Sequence, residues 1–115
     1  SSLALGSALA NVLAGRNALV IASSDFSHYE VAHYAREQDR CALDAVERLD
    51  PSELFACVRA RDITMCGHGP IAAMLAFARQ AGARRAETLA YTTSGDVTGD
   101  LAQPVVGYAA VAVTR

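Results

Sequence analysis

Two short segments of this chain carry the residue types that chemistry uses. The first is Asp25-Phe26-Ser27-His28, which sets a carboxylate and an imidazole three positions apart. Held together, such a pair orients the ring and raises its basicity, as general acid–base work requires. The bland alternative is an aspartate that caps a turn beside an ordinary surface or core histidine. The second segment is Thr64-Met65-Cys66-Gly67-His68-Gly69-Pro70. Cys66 stands just ahead of a helix start expected at Pro70. A helix N-terminus favours the thiolate, which suits a nucleophile or a soft metal ligand. Gly67 and Gly69 allow an unusual backbone there and close approach by a ligand. The alternative is a buried, inert cysteine, as expected for Cys41 and Cys57 inside helices. His68 is discounted as a partner, because two residues along an extended loop its side chain points away from that of Cys66. His33 reads as a solvated helix residue. Asp96 and Asp100 have neither the spacing of an EF-hand nor the lysine of a phosphate loop, so a plain turn is expected.

The elements that must position these groups follow from the apolar pattern. Residues 17–22 form a short apolar run, expected as a strand buried on both faces of a parallel sheet. It leads directly into Asp25 and His28, and ligands of open α/β sheets collect at the carboxyl ends of strands. Before it, Leu5, Leu9, Val12 and Leu13 recur at helical spacing, with Gly15 as the stop. After it, Ala35, Ala42, Val46 and Leu49 mark the core side of a second helix. Arg36, Asp39, Arg40, Glu47 and Arg48 are expected on its mostly solvated side. Asp50-Pro51-Ser52-Glu53 is a helix start, with an N-cap, a proline at the first position and a glutamate three residues after the cap. Ile71, Met74, Leu75 and Ala78 define one face of the helix from Pro70. Residues 88–93 and 105–113 read as strands, joined through a polar loop at 95–100. The order helix, strand, three helices, two strands specifies an α/β layered fold with helices on a mixed sheet. A strand–helix–helix excursion can return Cys66 to the edge that holds Asp25 and His28. One shared metal or reactant requires the His28 ring and the Cys66 sulfur within roughly 4–8 Å.

The chain has 115 residues, room for a single domain segment over 1–115. It is 52% hydrophobic and 19% charged, which excludes intrinsic disorder. The net charge is −2, and the ten basic residues are all arginines scattered along the chain, so no nucleic acid or anionic membrane partner is expected. The uncharged runs 1–15 and 63–78 fall short of the roughly 18–20 residues of a membrane span. The start at Ser1, without a basic leader, reads as a piece of a longer protein. Three cysteines without Cys-x-x-Cys spacing argue against a disulfide framework or a zinc knuckle, and a reduced, cytoplasmic location is expected.

Three segments in this order resemble the Memo family, whose prokaryotic members are also called AmmeMemoRadiSam system protein B. They are Ile21 through Tyr29, Ile63 through Ile71, and Thr93 through Asp100 followed by Val106-Gly107-Tyr108-Ala109-Ala110. The family is similar to the class III extradiol dioxygenases, non-haem Fe(II) enzymes. The resemblance implies an αβα sandwich with a mixed sheet, incomplete here, and a metal pocket at a sheet edge. It implies His28 as the acid–base group, Asp25 as its orienting partner and Cys66 as a metal ligand in place of a carboxylate. Thiolate for carboxylate favours Fe(II), Cu or zinc over harder ions. The family's metal-binding histidines lie in an N-terminal half that this chain lacks, so that half is an implied partner and metal is expected only with it. The substrate side is open: an unknown small molecule or a peptide. The function this supports is a Memo-like protein with redox or dioxygenase-related chemistry. Two alternatives stand beside it, a non-enzymatic peptide- or protein-binding module that kept the pocket, and a metal-independent Cys–His hydrolase.

Overall fold

Residues 1–100 and 102–115 are described in a computed structural model of the chain. Helix α1 (Ser2–Leu13) begins where the Ser1 hydroxyl accepts from the Ala4 N–H. It lies on α4 (His68–Gln80) through Gly6, where an added Cβ would come within 2.5 Å of the Ala73 carbonyl oxygen and 2.6 Å of the Ala76 Cβ. The small side chains are what let the two helices approach. Helix α2 (Ala32–Glu47) buries Ala35, Ala42, Leu43 and Val46. Helix α3 (Pro51–Arg61) starts as its sequence specifies, with the Asp50 carboxylate accepting from the Glu53 N–H at 3.0 Å and Pro51 at its first position. Phe26, Leu43, Leu54, Ile63, Met65 and Leu75 meet in one core among α2, α3 and α4.

Strands β1 (Arg85–Thr93) and β2 (Gly107–Thr114) pair antiparallel, with an irregularity between Thr88 and Ala90. Helix α2 and strand β1 pack together, so the chain has the expected α/β character. Beside the start of β2 runs the segment of interest: Phe26 N–H donates to the Gly107 carbonyl, Gly107 N–H to the Ser27 carbonyl, each at 2.9 Å, and Glu30 bridges Val105.

Four expectations are corrected. Residues 17–22 belong to no helix or strand, and Leu19 and Ile21 are 83% and 79% exposed. An apolar run becomes a buried strand only where neighbours bond its backbone, and among the described residues none does. The stretch read as a polar loop holds a short helix, α5 (Ser94–Thr98), closed by a capping box between Thr93 and Asp96. The Thr93 backbone N–H, and then Arg36, hold the Asp96 carboxyl below the usual carboxylate range. Asp39 is fully buried rather than solvated. Cys41 and Cys57 are disulfide-bonded rather than free thiols, because the packing of α2 on α3 sets their Cα atoms 6.2 Å apart.

Leu54→Ala should lower unfolding free energy by about 2–5 kcal/mol, the range for emptying a buried leucine site. Leu19→Ala should change it by less than about 0.5 kcal/mol. Urea denaturation of the two variants checks the contrast, and comparable losses would contradict the placement of both residues.

Candidate functional site

The Asp25–His28 and Thr64–Gly67 segments are each pinned by one apolar anchor. Phe26 and Met65 are buried in the common core, at 4% and 2% exposure, so Asp25, Thr64 and Cys66 beside them are held at or near the surface. Polar bonds then join the segments across the gap. His28 N–H donates to Thr64 Oγ1 at 2.7 Å. Gly67 N–H donates to Ser24 Oγ at 2.8 Å, and that hydroxyl donates in turn to the Asp25 carbonyl at 2.6 Å. A Cβ on Gly67 would lie 2.3 Å from the Ser24 Cβ and 2.6 Å from its Oγ, so the approach requires glycine at that position. This is the close backbone approach that the glycine suggested.

Asp25, His28 and Cys66 consequently converge, with one potential ligand atom from each within 4.8 Å of the others. The separation falls inside the window expected for a shared site. The thiol of Cys66 is free and exposed; Asp25 and His28 are half-buried.

The His28 ring has a determined polarity. Its Nδ1 lies 2.6 Å from the Thr64 carbonyl oxygen. A carbonyl only accepts, so the proton of that bond must sit on Nδ1. In the neutral ring Nε2 then carries the lone pair, and it faces Asp25 Oδ2 at 3.5 Å. A lone pair facing a carboxylate is relieved by a second ring proton, a bridging water or a metal ion. Cys66 Sγ is a third electron-pair donor, within 4.8 Å of an Asp25 oxygen and a His28 ring nitrogen. Together the three groups have the composition of a cation site or of an acid–base pair beside a nucleophile.

The other sequence candidates stay outside. His68 Nδ1 bonds the Met65 carbonyl at 2.9 Å, and its ring stands edge-on to Phe55. His33 is exposed on α2, as expected. Asp96 is occupied as the α5 cap, and Asp100 accepts from the Ala102 N–H. Thr64 was missed by sequence reasoning; a lone threonine carries no signal for the role its carbonyl and hydroxyl play. A cavity of about 430 Å³ lies among the flanking residues, lined by Leu5, Leu9, Ile21, Ala22, Pro70 and Met74. No helix among the described residues is long and apolar enough to cross a membrane.

Comparison with known proteins points one way. The profile of the family described as Memo-like protein matches residues 1–112. A MEMO1 family protein of Methanosarcina acetivorans is 46% identical over 111 residues, covering 95% of this chain and 41% of the relative. One from Methanopyrus kandleri is 44% identical over 100 residues, covering 87% and 35%. One from Nitrosopumilus maritimus is 37% identical over 107 residues, covering 93% and 38%. The chain thus spans about two fifths of the length of these relatives, at 35–41%.

Gly67→Ala should destabilise by about 1–3 kcal/mol, the usual cost of forcing atoms into filled space. Gly69→Ala, whose Cβ would only touch Ser2 Oγ at 3.4 Å, should be neutral or stabilising by up to about 1 kcal/mol. Equal effects in chemical denaturation would contradict the close approach. Iodoacetamide without reductant should label Cys66 alone, read by peptide mapping. Labelling of Cys41 or Cys57 ahead of it would count against the exposed thiol.

Proposed function

We propose a function for this chain from one premise: it belongs to the Memo-like protein family. Asp25, His28 and Cys66 are this chain's share of a non-haem metal pocket that takes Fe(II) or Cu, with zinc also matching the donors. The observation that carries this reading is the Nε2 lone pair of His28 turned towards a carboxylate and a free thiol, with no donor hydrogen between them in the neutral form. The donor set fits such an ion, because the thiolate of Cys66 is a soft ligand. Iron or copper, when bound, would supply redox chemistry at this position.

Cys66 is the ligand in this reading. His28 holds and moves a proton at Nε2, because Nδ1 is committed to Thr64, and Asp25 orients the ring. One ligand from this chain is a weak site, since stable sites use three or four well-placed protein ligands. The remaining ligands come from the part of the family-length protein outside the matched stretch, which is more than half of each relative. The small apolar cavity lined by Ile21 and Met74 suits the carbon skeleton of a small organic molecule.

A second reading has its own observation: the exposed Cys66 thiol beside His28 is the arrangement of a metal-independent Cys–His hydrolase. Titration with Co(II) separates the two. The metal reading expects a thiolate-to-cobalt charge-transfer band, absent in Cys66→Ala and requiring at least about tenfold more metal in His28→Ala. It also expects weaker binding by this chain than by a family-length relative. A band unaffected by Cys66→Ala would contradict the reading. Turnover of an activated ester that survives chelation and is lost in Cys66→Ala would replace it with the hydrolase.

A further inference from the structure

We propose that Asp39 is a positioning residue for His28, acting through Ser27. The inference rests on His28 as a working group of the site, and concerns what aims its ring. Asp39 lies in the middle of α2, fully buried. One carboxylate oxygen accepts two bonds from the same residue, the Ser27 N–H at 2.9 Å and the Ser27 hydroxyl at 2.7 Å. The other accepts from the Tyr91 hydroxyl on β1. All three donors are neutral, and among the described residues no arginine forms an ion pair with this carboxylate. The Arg36 guanidinium lies over the Tyr91 ring, 5.5 Å from its centroid.

A carboxylate fits this place for a reason of valence. Both oxygens must accept, and only an ionised carboxyl accepts at both. An asparagine would turn a donor towards one of these partners. The fit is also steric, because a Cβ on Gly107 would lie 2.0 Å from Asp39 Oδ2 and 2.9 Å from the Tyr91 hydroxyl oxygen. Burial, with the Asp39 bond adding to it, raises the Tyr91 phenol above its ordinary pKa, so Tyr91 stays a donor.

Ser27 has no freedom left. Its N–H and hydroxyl are held by Asp39, and its carbonyl accepts from the Gly107 N–H at 2.9 Å. The next residue is His28, whose N–H and Nδ1 must meet the two Thr64 acceptors together. The direction of the His28 ring, and with it the position of the Nε2 lone pair, is therefore inherited from the grip of Asp39 on Ser27. A merely structural Asp39 would affect stability and leave the ring's protonation pattern alone.

The test is the His28 tautomer, read by long-range proton–nitrogen correlation in protein labelled with 15N-histidine at about pH 8, where histidine is neutral. In the parent protein the Nδ1–H form should hold most of the population. In Asp39→Asn it should fall below half. Tyr91→Phe keeps both Ser27 bonds and should match the parent. Ser27→Ala removes only the hydroxyl bond and should lower the Nδ1–H fraction by less than Asp39→Asn, which keeps the proposal testable should Asp39→Asn not fold. A folded Asp39→Asn or Ser27→Ala with the parent's tautomer would overturn the proposal, as would a Tyr91→Phe shift as large as that of Asp39→Asn. No metal enters this readout, so a failure of metal binding in the parent leaves it standing.

Discussion

The bond between the His28 ring and the Thr64 carbonyl is the contact on which the site depends. It spans 36 positions of sequence, and it has a direction, because the carbonyl can only accept. From that direction follow the proton on Nδ1, the lone pair on Nε2 and the side of the ring that meets Asp25 and Cys66. Remove the bond and the three groups are still near one another, but nothing selects which ring nitrogen faces them. Proximity gives a cluster; the committed nitrogen gives it chemistry.

Behind that bond stands a division of labour between apolar and polar contacts. Phe26 and Met65 sink into the α2–α3–α4 core and set the height of each segment, an effect of burial that has no direction. Direction comes from bonds that only one geometry satisfies: Ser27 held by Asp39, and Gly67 backed against Ser24. The helices α2 and α3 between the two segments act as a spacer whose return path is set by their packing, and the Cys41–Cys57 link joins those same two helices.

How much of this the sequence disclosed varied with the range of the interaction responsible. The start of α3 was legible because Asp50, Pro51 and Glu53 act within one turn. The meeting of Asp25, His28 and Cys66 was legible because each motif marks itself locally, but the strand edge expected to hold the first motif is absent among the described residues, and helix packing returns the chain instead. Asp39 was misread, since a charged residue among Arg36, Glu37 and Arg40 resembles a solvated face. Yet it shares helical spacing with Ala35, Ala42 and Val46, and that periodicity placed it on the buried stripe. The run 17–22 shows the opposite limit: its composition reports an affinity for a sheet, but composition does not supply the neighbours. Cysteine counting failed for a related reason, because an odd total does not register which two helices pack.

The central claim is that Cys66 is this chain's ligand to the pocket's metal, with His28 and Asp25 beside it as the acid–base pair, and metal-edge X-ray absorption tests it most directly. In a family-length protein loaded with zinc, one sulfur scatterer at about 2.3 Å should accompany nitrogen or oxygen scatterers at about 2.0–2.1 Å. The sulfur should vanish in Cys66→Ala while metal remains in part. A first shell of nitrogen and oxygen alone in the unmutated protein would contradict the claim.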